Sequence, residues 1–301
     1  MELRQLKYFI EVAKREHVTH AADALHVAQS AVSRQISNLE DELGVQLFIR
    51  EGRNVKLTPV GKLFLEHIEI ALREIDKAVQ EVKEFLDPES GVIRIGFPNS
   101  LAANTLPKVI SAFRDKHPKI RFQLRQGILS TLIKAVVKGE IDLAFVAPVP
   151  TDHELVNGHI FFTEEMMAIL PANHPLTDQD ALRLDQLRKE PFVMFRAGFT
   201  LREIVVNACQ QAGFKPHVAF EGEDIDTIKG LVAAGLGVAL LPEVTLMDNI
   251  PREAVKMRIA EPQVTRTVGV ITPKKREPAP SEKIFFEFLQ SFYENLYRFR
   301  F

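Results

Sequence analysis

The 301-residue chain has a single cysteine and no tryptophan. Cys209 has no internal partner, so no disulfide framework holds this fold, and the composition fits a reducing compartment. Cys209 also falls on an amphipathic segment, which makes it a packing residue rather than a nucleophile. No apolar run is long enough to span a bilayer. The first residues lack the basic-then-apolar order of a secretory leader. Together these absences set the expectation of a cytoplasmic protein without a membrane partner. Motifs for nucleotide binding and catalysis are missing too: there is no P-loop, no G-x-G-x-x-G, no G-x-S-x-G and no H-E-x-x-H. The histidines are scattered, and the nearest pair, His17 and His20, flanks a helix start. No metal, no cofactor and no enzymatic activity are therefore expected. A chain of this length needs two or three domains.

What is present is concentrated in residues 18–48. Val32, Ile36, Leu39 and Leu43 recur at spacings of three and four, the core stripe of a helix from about Gln29 to Leu43. Gln29, Ser30, Ser33, Arg34 and Ser37 fall on other faces, with no acid before Glu40. A recognition helix presents such groups from its N-terminal half to base edges and phosphates. Arg can bind guanine, and Gln adenine, through paired hydrogen bonds. A shorter helix precedes it, with Thr19 as its N-cap and Ala21, Ala22 and Ala24 small enough for close crossing. An amphipathic first helix carries Leu3, Leu6, Phe9, Ile10 and Ala13.

Residues 47–57 read as strand, glycine turn and strand, a wing made basic by Arg50, Arg53 and Lys56 and suited to phosphate or minor-groove contact. The expected reading surface is thus Thr19, Gln29, Ser30, Ser33, Arg34, Arg50 and Arg53. Two features weaken it. Residues 1–58 hold eight Lys/Arg and eight Asp/Glu, so nonspecific affinity per subunit is modest and pairing of subunits is needed. Ala28 also stands where a Ser or Thr cap would serve the helix, at a cost of about 1 kcal/mol.

Thr58-Pro59 is a helix-start pair. Leu65, Ile68, Leu72, Ile75, Val79, Val82 and Leu86 then alternate at three and four, a heptad seam with charged flanks. Such a seam fits the same helix of a second copy, giving a homodimer or homotetramer. Residues 87–91, D-P-E-S-G, end it as a hinge.

From residue 91, strand-like segments (92–97, 120–125, 141–147, 166–170, 192–195, 218–221, 237–241, 267–272) alternate with helix-like ones (101–116, 131–138, 201–212, 225–234, 281–297). That order predicts mainly parallel sheets. Ligands in such sheets collect beyond the carboxyl ends of strands, where helix N-termini point inward. The matching turns carry Pro98, Asn99, Ser100, Leu129, Ser130, Pro148, Arg196, Phe199, Thr200, Arg202 and Glu221. Thr200 and Glu203 have the spacing of a capping box. Free N–H groups at Ser100 and Thr200 would clamp a small carboxylate, with Arg196 or Arg202 adding charge. Glu221, Glu223, Asp224 and Asp226 would repel it if they faced the same cleft.

The stretches A-A-D-A-L-H-V-A-Q-S-A-V-S-R-Q-I, L-E-D-E-L-G-V-Q-L-F-I-R and L-T-P-V-G resemble the signature of the LysR-type bacterial transcriptional regulators. The likeness extends over the whole chain. It implies a winged helix-turn-helix (1–58), a dimerising linker helix and hinge (59–90), and a two-lobed α/β effector domain like the periplasmic binding proteins (lobe one 91–160 and 267–301, lobe two 161–266). It also implies that Gln29, Ser30, Ser33 and Arg34 enter the groove and that Arg53 is the wing contact. The expected partners are a dyad-related double-stranded DNA site, a small-molecule effector and, at the promoter, RNA polymerase. Within the family, E-H-V, V-A-Q-S-A-V-S-R-Q-I, R-E-G-R-N-V-K-L-T-P and G-E-D-I-D-T-I-K-G-L-V resemble regulators of glutamate synthase genes, which implies 2-oxoglutarate or glutamate as effector. An unrelated small carboxylate is the alternative. A pure solute-binding protein would account for residues 91–301 but leaves the first 90 unexplained.

Overall fold

The computed structural model describes residues 1–52, 54–87, 91–247 and 249–298. Arg53 and the hinge residues Pro88, Glu89 and Ser90 lie outside the described residues. The chain forms two compact units, Met1–Val79 and Gln80–Phe301.

In the first unit, helix α1 (Leu3–Arg15) opens on a capping box between Glu2 and Gln5 and buries Leu6, Phe9, Ile10 and Val12. Helix α2 (Val18–Leu25) buries Ala21 and Ala22, whose small side chains allow helix α3 (Gln29–Leu43) to cross closely. Strands β1 (Phe48–Glu51) and β2 (Asn54–Leu57) form the antiparallel wing. Phe9 sits at the centre, its ring 5.3 Å from Phe48 and 5.2 Å from Phe64.

Helix α4 (Pro59–Leu86) follows, its start capped where Gly61 N–H donates to Thr58 Oγ1 at 2.9 Å. Gly61 lets the helix approach the wing closely: a Cβ there would lie 2.2 Å from the Leu47 carbonyl oxygen. Of the seam, Ile68 is buried and Leu65 and Leu72 are half-buried against the head's own core. Ile75, Val79 and Val82 are exposed, at 42%, 52% and 65%. Heptad spacing marks an apolar stripe without saying what covers it, and here the first half covers the wing and α1.

The second unit begins with β3 (Val92–Phe97). There follow α5 (Asn99–Ala102), α6 (Thr105–Arg114), β4 (Arg121–Gln126), α7 (Leu129–Val137), β5 (Leu143–Val146) and the 16-residue strand β6 (Val156–Pro171). Next come β7 (Ala181–Arg183), β8 (Pro191–Phe195), α8 (Thr200–Gln211), β9 (His217–Gly222), α9 (Ile225–Ala233), β10 (Ala239–Pro242), β11 (Ala254–Glu261), β12 (Thr265–Pro273) and α10 (Pro280–Arg298).

The expected single helix over 101–116 is two: the α5 segment ends at Ala102, and α6 starts at Thr105. The expectation of mainly parallel sheets is also corrected. Pairs β3–β4, β3–β5, β8–β9 and β7–β11 are parallel, but β6 and β12 run antiparallel to each other and to their other neighbours β5, β10 and β11. These two long strands carry the chain between two cores. One core gathers residues such as Leu170, Phe192, Ile228 and Leu241. The other gathers Ile93, Phe113, Phe145, Val270 and Phe285, with Phe113 and Phe285 edge-to-face at 4.9 Å. Strand β6 pairs with β12 along its first part and with β10 and β11 along its second, which is why it is longer than its apolar run 166–170 predicts.

Candidate functional site

The first candidate surface is the exposed start of α3. Gln29, Ser30 and Arg34 are exposed and Ser33 is half-buried, while Val32, Ile36 and Leu39 face the core. Gln29 Nε2 donates to Ser33 Oγ at 3.1 Å, so the two side chains hold each other in place. Ala28 is the N-cap and gives no side-chain cap. Its carbonyl takes the N–H groups of Ala31 and Val32, and those of Gln29 and Ser30 have no protein acceptor among the described residues. With no acid in the first turn, this end of the helix offers two free donors and the positive end of the dipole to a phosphate. The missing cap is therefore a usable feature of a reading helix.

Thr19 does not cap α2. The helix starts at Val18, and the cap is His17, whose Nδ1 accepts from His20 N–H at 3.5 Å with the two rings stacked at 4.0 Å. Thr19 is exposed in the first turn. His26 ends α2 in the left-handed region at φ 55, setting the tight turn into α3.

On the wing, Arg50 is exposed, whereas Lys56 pairs with Glu51 at 2.8 Å, which raises its pKa above the ordinary value and spends its charge locally. Glu40, read as a plain acid, fastens the wing to the reading helix: its Oε1 accepts from the N–H groups of Leu47 at 2.7 Å and Phe48 at 3.1 Å.

The second candidate is a cleft in the Gln80–Phe301 unit, with about 460 Å³ of empty space that includes open solvent at its mouth. Pro98, Asn99, Ser100, Leu129, Phe199 and Thr200 line it, as do Gly127, Ile128, Leu132, Val146, Ala147, Phe195 and Leu201. The ends of β3, β4, β5 and β8 thus converge with the starts of α5, α7 and α8. At α7 and α8 the N-caps are Ile128 and Phe199, neither with a side-chain cap. The N–H groups of Leu129, Thr200 and Leu201 have no protein acceptor among the described residues, and apart from Asn99, Ser100 and Thr200 the lining side chains are apolar. Free donors in a low-dielectric setting suit a small anion.

Two of the lining side chains are already engaged, and the other predicted groups lie outside the lining. Thr200 is the first helical residue and not a cap; its hydroxyl donates to the Ala147 carbonyl at 3.4 Å. Asn99 Oδ1 accepts from Ile225 N–H at 3.2 Å, joining α5 to α9. Both bonds tie one core to the other across the cleft. Ser130 is exposed and Pro148 half-buried, and neither is among the lining residues.

Arg196 pairs with Glu223 at 2.7 Å on the exposed surface. Arg202 pairs with Glu221 and donates to the Phe195 carbonyl at 2.8 Å. The acidic cluster is thereby accounted for. Asp224 caps α9 through Thr227 N–H at 2.8 Å, its carboxyl held below the usual range by that residue's hydrogen bonds, and Asp226 reaches Lys229 at 3.4 Å.

Sequence reading missed Arg266, buried beside Glu164 and donating to Ser100 Oγ at 3.0 Å. Its place in an alternating strand gave no sign of this. Cys209 is buried, and burial pushes its thiol up to about 12, so it stays protonated and inert. No helix among the described residues is long and apolar enough to cross a membrane.

A helix-turn-helix head followed by a two-core α/β domain with a cleft defines a transcription regulator with an effector-binding domain. The chain belongs to the LysR family of bacterial regulatory helix-turn-helix proteins: that family's helix-turn-helix model matches residues 3–62, and its LysR substrate binding domain matches residues 86–293. It is 55% identical to the transcriptional dual regulator GltC of Bacillus subtilis (strain 168), over 100% of both chains. It is 33% identical to an uncharacterised regulator of that organism, YybE, over 97% of this chain and 99% of the other. Full-length CbnR, solved with its target DNA, has the same fold: the TM-score is 0.79 at 24% identity, covering 97% of this chain and 99% of that one.

Proposed function

We propose that this chain is a cytoplasmic, homo-oligomeric regulator. It grips a dyad-related promoter site through Gln29, Ser30, Ser33 and Arg34, with Arg50 and Arg53 on the wing, and it responds to a small carboxylate held in the cleft. The exposed half of the seam, Ile75, Val79 and Val82, is the surface on which a second copy's helix packs. The effector is 2-oxoglutarate or glutamate, and the target genes are those of glutamate synthesis, with RNA polymerase as the partner at the promoter. The observation that carries the ligand reading is the set of unused N–H donors at Leu129, Thr200 and Leu201, facing a cleft whose neighbouring acids are engaged by Arg196, Arg202 and Thr227. Full-length identity to GltC supports the pathway.

The mechanism is a population shift. A ligand that binds one arrangement of the two cores better than another biases that arrangement, with coupling to DNA binding of about 1–3 kcal/mol. The test is binding of the full chain to upstream DNA with and without 2-oxoglutarate, glutamate and a panel of other small acids. A shift in DNA affinity with either of the first two supports the reading. A shift only with an unrelated carboxylate reassigns the effector, and no response to any acid ends the carboxylate reading.

A further inference from the structure

Arg266 and Glu164 form an ion pair sealed from solvent, their side chains 1% and 7% exposed. Arg266 Nε donates to Glu164 Oε1 at 2.7 Å, and Nη2 lies 2.5 Å from the same oxygen. The two residues face each other in register on β12 and β6, the strands that connect the two cores. The third guanidinium nitrogen, Nη1, donates to Ser100 Oγ at 3.0 Å. Ser100 is itself buried and lines the cleft.

Stability does not explain this pair. Exchanging a buried ion pair for apolar groups of similar size is often neutral or stabilising. Here the cost is raised further, because Glu164 Oε2 is buried without a hydrogen-bond partner. The geometry at Ser100 supplies a different reason. A serine hydroxyl has one proton to donate and two lone pairs to offer. Arg266 fills a lone pair with a donor that has no acceptor capacity and keeps its proton. The hydroxyl proton of Ser100 is then free to point into the cleft, beside the free N–H groups of Leu129, Thr200 and Leu201.

We propose that Arg266 is a positioning residue of the effector cleft, holding the Ser100 hydroxyl as a donor to a bound carboxylate and tying that donor to the strands joining the two cores. The proposal rests on reading the cleft as a carboxylate site. It makes Ser100 an obligate donor, so the cleft favours ligands with an acceptor at that point over ligands of the same shape that place an ammonium or an apolar group there.

The test is calorimetric titration of the full chain with 2-oxoglutarate and with glutamate. The variants are Ser100→Ala, the paired change Arg266→Met with Glu164→Leu, and all three together. The paired change removes both charges and leaves no buried carboxylate unpaired. Ser100→Ala and the paired change should each weaken binding about tenfold to a hundredfold, the range for a hydrogen bond to a charged group. The triple variant should be no weaker than either. A purely structural role predicts a lowered melting temperature with parental affinity, or losses that multiply; either result overturns the proposal. Should the paired variant fail to fold, Arg266→Lys keeps the charge beside Glu164 but replaces the fork with one ammonium. It should match the Ser100→Ala loss without adding to it, and parental affinity there overturns the proposal. Binding of neither acid, nor of any other small carboxylate in the panel, to the folded parent removes the carboxylate reading and this proposal together. Binding without Ser100–Arg266 coupling removes only this one.

Discussion

The reading head and the effector cleft reach function by opposite routes. The head presents its polar groups from one turn-and-a-half of one helix, close in sequence and mostly exposed, on a scaffold whose core lies on the other side. The cleft gathers its lining from residues 98–100, 127–129, 132, 146–147, 195 and 199–201, brought together by strand order. Its donors are backbone N–H groups and a serine held by a distant arginine. On the proposed function, the head reads with side chains, so a point substitution silences it, and the cleft reads with backbone geometry, so it is sensitive to whatever sets the relation of its two cores.

The sharpest way to break the comparison is to unfold one part alone. Phe9→Ala removes a fully buried ring from the head core and should cost about 3–5 kcal/mol. DNA binding should disappear while titration of 2-oxoglutarate into the cleft is unchanged; loss of both would make the two units one cooperative body. Next in size is Arg34→Ala. It should weaken the specific site by about 1–3 kcal/mol, the value of a paired base contact, and leave the melting temperature unmoved. A destabilised variant would place Arg34 in the scaffold.

Thr200→Val deletes the hydroxyl that reaches the Ala147 carbonyl and should cost about 0.5–1.5 kcal/mol. The metabolite dose–response should shift while affinity for DNA without metabolite survives. An unchanged curve would move the ligand away from α8. The smallest effect is Asp224→Ala, about 1 kcal/mol of lost capping at α9. The Asp224 carboxyl titrates below its ordinary value in the folded chain. Its contribution is therefore present above the unfolded carboxylate pKa of about 4 and is lost as pH falls through the lower folded value. The gap in melting temperature between parent and variant should close as the pH is lowered past that point, and a gap that stays constant would show that the carboxylate is not the source.

How much was legible follows the same division. The α3 stripe Val32, Ile36 and Leu39, the Thr58 cap and the β3 strand 92–97 are local patterns that the structure has in place, whereas Leu43, the expected end of the stripe, is exposed in the last turn of α3. Thr19 misled because the composition of a cap is not its position: the imidazole of His17, two residues earlier, does that work. Thr200 misled in the same way, since Phe199 is the cap and the hydroxyl is used across the cleft. The seam was read as one surface because spacing cannot say that Ile68 faces the head core while Val82 stays exposed.

Strand β11 carries Ala254, Met257 and Ile259 inward and did show partial alternation, but β7 has only three residues and no pattern to find. Arg266 was out of reach altogether. Its partners Glu164 and Ser100 lie 102 and 166 positions away; the antiparallel register of β6 and β12 sets Glu164 opposite it, and the tertiary fold brings Ser100 on α5 to the pair.

The most direct measurement is fluorescence anisotropy of the full chain against its own upstream duplex and a shuffled duplex of equal length, at physiological ionic strength, for the parent and for Arg34→Ala. The parent should prefer its own sequence by about a thousandfold or more, the usual margin of specific over nonspecific binding, and Arg34→Ala should lose a substantial part of that margin. Equal affinity of the folded parent for both duplexes would contradict the assignment of the α3 face as the surface that reads DNA.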